Sequence, residues 1–349
     1  MRCVLLPTLI AGIMVMSVTL SACGSGSNPP SSATGGKVAD ITIGLPNSAP
    51  SFANSDVAVA QAEGYFRAEG LNVHVDNLSS GVPVVQGIVG GSLDIGASSI
   101  EPVVNAAAQG SPVQIIGSYA NKLTVSMVTP TTITTAAQLR GKRLGIQQIG
   151  AFREVMTRMV IEGAGLTTSD VSYVPGSSSA YISELLAGQI QSGVLQEEQV
   201  LKVLAIDSKL HVLVNFTQAD PGYFYGTYVV SKPWLAAHQS TAEKFLTAIT
   251  RAHRFMYQHK TATVAIVAKN TSYTTNVISK AYDVLLTQEG VFPVNGGISA
   301  ARISGTISTM KKYKILTGTA PAESALVSTG PISAVVSKLG AWKGNPLWN

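Results

Sequence analysis

Cysteine is nearly absent: the 349 residues contain two, Cys3 and Cys23, both close to the N-terminus. From residue 24 onward a disulfide framework, a thiolate metal site and a cysteine nucleophile are therefore excluded. Histidine is equally thin. His74, His211, His238, His253 and His259 form no His-x-x-x-His pair, and residues 253 and 259 fall on different faces of a helix, so no metal site is expected. No phosphate-cradling Gly-x-x-x-x-Gly-Lys-Ser/Thr run and no Gly-x-Ser-x-Gly elbow occurs. Only 12% of residues are charged, and the densest basic run in this +5 chain is Lys311-Lys312-Tyr313-Lys314. No basic stripe with interleaved aromatics exists, so a nucleic-acid partner is not expected. On these grounds the expectation is a binding protein, with no cofactor and no enzymatic activity.

What is plentiful is small aliphatic residues. The hydrophobic share is 46% with aromatics at 6%, which suits a packed α/β protein and argues against disorder. The length exceeds what one hydrophobic core usually supports, so two domains are expected.

The N-terminus carries an address. Arg2 precedes an apolar stretch over residues 4–20, interrupted by Pro7, and Leu20-Ser21-Ala22 stands before Cys23. A basic start, an apolar core and small residues at a cut site describe an export signal over 1–22. Leu-Ser-Ala-Cys also resembles the lipobox of bacterial lipoproteins, which implies lipidation at Cys23 and attachment to the outer face of the cytoplasmic membrane, within the cell envelope. Residues 23–37, rich in Gly, Ser, Pro and Asn, read as a flexible tether.

A short pattern occurs twice, at residues 88–103 and 185–200. Gly91 aligns with Gly188, Leu93 with Ile190, Gly96 with Gly193, and Glu101 with Glu198. In each copy a helix closes on glycine, an apolar strand follows, and a polar segment opens the next helix. Elsewhere strands are expected over 38–45, 72–76, 113–119, 144–146, 171–174 and 227–230, with helices from 55, 152, 242 and 276. This alternation implies largely parallel sheets flanked by helices.

Ala62-Glu63-Gly64-Tyr65-Phe66-Arg67-Ala68-Glu69-Gly70-Leu71-Asn72-Val73, Gly90 to Gly96 and Leu139 to Gly145 resemble three motifs of one family. It is the periplasmic-binding-protein family serving nitrate, sulfonate, taurine and thiamine-pyrimidine importers. The resemblance implies a two-lobed type II solute-binding fold with two crossing strands: lobe one over 38–122 plus 228–349, lobe two over 123–227. It further implies a small-molecule ligand, a monomeric receptor, and an ABC permease with its ATPase as partner; a tethered sensor, or a pyrimidine-precursor enzyme on this fold, are the alternatives. The second repeat departs from the family in having Gln191 where an acid is usual.

In open α/β sheets ligands bind beyond the C-terminal strand ends. The loops so selected contribute Asn47 and Ser48, Ser80 and Gly81, and Ser98 and Ser99. The other half of the chain contributes Gly150, Ala151 and Phe152, with Gln196 and Glu197. At least one of Tyr223 and Tyr225 is expected to face the cleft and stack on a flat ligand. Free amides at Ser99 and Ala151, with Arg153 nearby, suit a sulfonate or another anion. Glu101 and Glu197 suit instead an amino-substituted ring of the aminopyrimidine kind. Both remain open from the residues alone.

Overall fold

The computed structural model describes residues 38–344 and 347. The export signal, the tether and Cys23 lie outside these residues. Two five-stranded sheets organise the chain. The first comprises β1 (Ala39–Leu45), β2 (Leu71–Asn77), β3 (Ile95–Ser99), β4 (Val113–Ala120) and β10 (Gly226–Ser231), in the order β2-β1-β3-β10-β4. The second comprises β5 (Val125–Pro130), β6 (Arg143–Ile146), β7 (Ser172–Pro175), β8 (Ser192–Gln196) and β9 (Leu210–Asn215), in the order β7-β6-β8-β5-β9.

The two orders are one plan used twice. In each sheet the fourth strand is antiparallel to its neighbours and comes from the other half of the chain: β10 runs against β3 and β4, and β5 against β8 and β9. The backbone thus crosses between sheets twice, through 121–124 outward and 220–225 on return. The duplicated pattern supplies the central strand of each sheet. Both β3 and β8 are buried along their whole length, as strands covered by helices on both faces must be.

Local chemistry explains these elements. Gly91 (φ 75°) and Gly188 (φ 65°) end the helices that precede β3 and β8 in the left-handed conformation that glycine adopts without strain. At the position of the missing acid, Gln191 makes the same tie to the neighbouring strand. Asp94 accepts from the Thr42 amide of β1 at 2.8 Å, and Gln191 Oε1 accepts from the Arg143 amide of β6, the equivalent strand, at 3.1 Å. The position ties a loop to its neighbouring strand in both sheets, and a side-chain carbonyl serves as well as a carboxylate.

Helices absent from the sequence expectations complete the molecule, among them Ala300–Lys312 and Gly330–Leu339. The helix Ala300–Lys312 grips both crossings. Arg302 donates to the carbonyl of Asn121 at 2.6 Å on the outward path and to that of Pro221 on the return, while Thr306 Oγ1 accepts from the Phe224 amide at 2.8 Å. Strand β9 also escaped the sequence reading, because its LHVLVN alternation leaves only Leu210 fully buried. Among the described residues no helix is long and apolar enough to cross a membrane.

Candidate functional site

Two adjoining cavities lie where strand ends of the two sheets face each other. The inner one is small, about 10 Å³, room for roughly one water molecule. Its wall joins Pro46 and Asn47 after β1 and Ser99 at the end of β3 to Gln147 after β6 and Gln196 at the end of β8. Gly81, Phe152 and Arg153 open helices into the same space, and Tyr119 and Tyr225 close it. Phe152 and Tyr225 pack with ring centroids 4.4 Å apart, and Gln196 donates to the Tyr225 hydroxyl at 3.3 Å while accepting from Thr124 Oγ1 at 2.8 Å.

The outer cavity is larger, about 220 Å³, and shares Asn47, Arg153 and Gln196 with the inner one. From the first sheet's half come Ser51 and the segment Thr271, Ser272 and Tyr273; from the second come Ser178, Glu198 and Lys202. Polar bonds cross the cleft. Glu198 Oε1 accepts from Ser51 Oγ at 3.0 Å and from the Phe52 amide at 3.2 Å, Gln147 donates to the Ser79 carbonyl at 2.9 Å, and Ser48 and Ser177 hydroxyls meet at 2.8 Å.

Arg153 is the central cation. It stands in the first turn of the helix Phe152–Gly163, yet only 2% of it is exposed. It donates to the Val194 carbonyl of β8 and to Gln199 Oε1, and its guanidinium sits 5.4 Å from the centroid of the Tyr181 ring. Burial lowers its pKa, and the surrounding tyrosines and Glu198 oppose that. Among the described residues it makes no ion pair.

Two buried glutamates stand at equivalent positions of the duplicated pattern. Glu101 accepts from the Tyr223 hydroxyl. Burial pushes the carboxyls of both Glu101 and Glu198 above the usual range, the loss of hydration outweighing the hydrogen bonds they accept. In each, the second oxygen, Oε2, is buried without a hydrogen-bond partner among the described residues. Such an atom is costly to keep and marks a place where a partner is missing.

Of the sequence-expected residues, Asn47, Gly81, Ser99, Phe152, Gln196 and Tyr225 line a cavity. The others stand elsewhere. Ser80 caps the helix Gly81–Gly90, accepting from the Val82 amide at 3.3 Å, and Ser98 is turned back onto the carbonyls of Ser99 and Gly81. Ser48 is an exposed contact across the rim. Gly150 adopts φ 79° and donates its amide to Glu154, a Cβ there would meet open space, and Ala151 is a buried helix-cap residue. Tyr223 is buried against Glu101, leaving Tyr225 as the cleft tyrosine.

Glu197 is the instructive miss. It lies on neither cavity wall, its carboxyl pushed up to about 7 by burial and by Glu198 and Glu289 beside it. The glutamate on the wall is Glu198, one residue on. The signal was available, since Glu198 is the residue that aligns with Glu101 in the repeat. Gln147, Tyr119 and the distant Ser51 and Tyr273 carried no motif and were missed. Among the described residues no cluster of His, Cys, Asp or Glu could hold a metal.

The fold and the cleft define a class, and comparison with known proteins places the chain within it. The family model described as NMT1/THI5 like matches residues 52–263, and the chain belongs to that family. A 4-amino-5-hydroxymethyl-2-methylpyrimidine phosphate synthase from Candida albicans (strain WO-1) is 26% identical over 218 residues, covering 58% of this chain and 63% of that protein. The chain therefore spans less than two thirds of that relative's length. The alkanesulfonate-binding protein SsuA from Xanthomonas axonopodis pv. citri bound to MOPS superposes with a TM-score of 0.69 at 17% identity, over 84% of this chain and 100% of that one. The periplasmic nitrate-binding protein NrtA from Synechocystis PCC 6803 gives 0.70 at 11% identity, over 86% and 89%. The fold is the two-lobed type II fold of periplasmic binding proteins.

One expectation is overturned. The sequence was read as that of a non-enzyme, yet the Candida albicans relative is named as a synthase. The motifs whose absence supported that reading belong to other catalytic scaffolds, so their absence excludes those scaffolds and not catalysis on this one.

Proposed function

We propose that the protein is an exported solute receptor that captures a small organic ligand between its lobes and delivers it to an ABC permease and its ATPase. Lobe one is then 38–122 plus 228–349 and lobe two 123–227, with Cys23 as the lipid anchor. The carrying observation is the outer cavity: it is formed by residues of both halves, and, among the described residues, its wall holds a buried arginine without an ion pair and a buried glutamate with an oxygen that no residue satisfies. Such groups are stabilised when a polar ligand completes them, and residues from both halves converge on one molecule only when the lobes close. The family membership and the type II fold support the same reading.

The test is a thermal-shift and small-angle scattering screen of the full chain against sulfonates, nitrate, amino acids and aminopyrimidines. A ligand at about 100 times its dissociation constant adds roughly 2.7 kcal/mol of stability, and closure lowers the radius of gyration. A panel that moves neither quantity rejects the receptor reading. A second reading, chemistry on a pyrimidine precursor, is favoured by the named relative. Mass spectrometry of the recovered ligand separates the two, since a receptor returns its ligand unaltered and an enzyme does not.

A further inference from the structure

The outer cavity carries a buried guanidinium and a buried carboxyl that attract each other through space without touching. Arg153 and Glu198 share its wall, and neither makes an ion pair among the described residues. Arg153 spends two of its five N–H donors on Val194 and Gln199. Glu198 is 2% exposed, and among the described residues only its Oε1 has hydrogen-bond partners while Oε2 has none. Lys202 does not quench it. That residue is exposed, with its ammonium 5.2 Å from the centroid of the Tyr273 ring. A purely anionic ligand would satisfy Arg153 and leave Glu198 Oε2 unpaired and repelled; a purely cationic one would do the reverse.

We propose that the outer cavity takes a compact dipolar ligand, with an N–H donor group, such as an ammonium, on Glu198 and an anionic or acceptor group on Arg153. This rests on the receptor reading and adds the ligand's chemistry to it. The same carboxylate also touches the other lobe. Its Oε1 accepts from Ser51 Oγ and the Phe52 amide of the opposite half, so a donor on Oε2 engages the side chain that clasps that half. Glu198 is in that sense both the donor-selecting residue and the link from ligand to closure.

Three matched probe sets test this on the full chain by calorimetry: the dipolar β-alanine, γ-aminobutyrate and δ-aminovalerate, the alkylamines of equal length, and the alkylcarboxylates of equal length. At least one dipolar probe is expected to bind roughly tenfold or more tightly than both of its half-molecules, because only it pairs both buried groups. Glu198→Gln turns one wall acceptor into a donor at constant shape. It should weaken the dipolar probe by about tenfold or more while leaving the carboxylate probe as tight or tighter. The ligand-free melting temperature of the variant reports that it has folded. Carboxylates binding as tightly as the dipolar probes, no binding by any of the three sets, or a Glu198→Gln chain with unchanged dipolar affinity each overturns the proposal. In all three cases the receptor reading still stands or falls on the broader screen, where sulfonates or nitrate can close the lobes without Glu198.

Discussion

Arg302 is the residue whose removal should most change the molecule without touching the cleft. Its guanidinium holds backbone carbonyls of both crossing segments, Asn121 at 2.6 Å and Pro221, from a half-buried position on the helix Ala300–Lys312. A hydrogen bond from a charged donor contributes about 1.5–3 kcal/mol net where it is buried, and partial exposure lets water replace part of that. Arg302→Ala should therefore cost about 2 kcal/mol in total, which for a chain of this size lowers Tm by about 3 °C. Lysine keeps the charge but, as a compact ammonium, cannot span two carbonyls as the planar fork does, so Arg302→Lys should cost roughly half as much. If both bonds exist only when the lobes are closed, the same 2 kcal/mol appears as a loss of ligand affinity of roughly 30-fold. Differential scanning calorimetry of both variants, beside titration with any ligand that closes the wild type, measures the two quantities. Wild-type Tm together with wild-type ligand affinity in Arg302→Ala would refute the clamp outright.

Three further outcomes follow from the geometry. Glu197, with its carboxyl pushed up to about 7, binds a proton in the folded chain between about pH 4.5 and 7 that the unfolded chain has lost, so its contribution weakens as pH rises through that window. Glu197→Gln should accordingly raise stability at pH 8 by up to about 3 kcal/mol and leave it unchanged near pH 4, where both forms are neutral; equal gains at both pH values would exclude the titration. Gly150→Ala should cost about 1 kcal/mol from its φ of 79° alone and spare ligand affinity, because its Cβ meets open space; a variant that folds normally but binds poorly would put Gly150 on the cleft wall after all. Tyr225→Phe removes the hydroxyl that accepts from Gln196 while keeping the ring against Phe152. A loss of about 1 kcal/mol in urea denaturation is expected, and no loss would mean that this bond carries no weight.

Much of the architecture was legible because it rests on interactions between near neighbours. Period-two alternation, glycine at helix ends and serine at helix starts are local signals, and they located β1, β3, β8 and the duplicated strand–helix unit. The repeat also contained the correct wall glutamate. That Glu198 and not the expected Glu197 lies on the cavity wall is a matter of helix phase, since consecutive helical residues point about 100° apart and only the packing of the helix Glu197–Ile206 decides which one faces the cleft. Tyr223 and Tyr225, two residues apart in an irregular crossing segment, are likewise separated in role by tertiary packing, since Tyr223 donates to Glu101 while Tyr225 lines the cavity.

From the sequence alone came the two-lobed α/β class, the strand-end loops and six of the cavity-lining residues, because each depends on hydrophobic period and turn chemistry within one segment. The tertiary structure alone decided that Arg153 is buried, through Val194, Gln199 and Tyr181 on other elements. It alone brought Ser51 and Tyr273 to the same cavity, and set Arg302 across both hinges. Those are contacts between residues far apart in the chain, and no local pattern encodes where the packed lobes will place them.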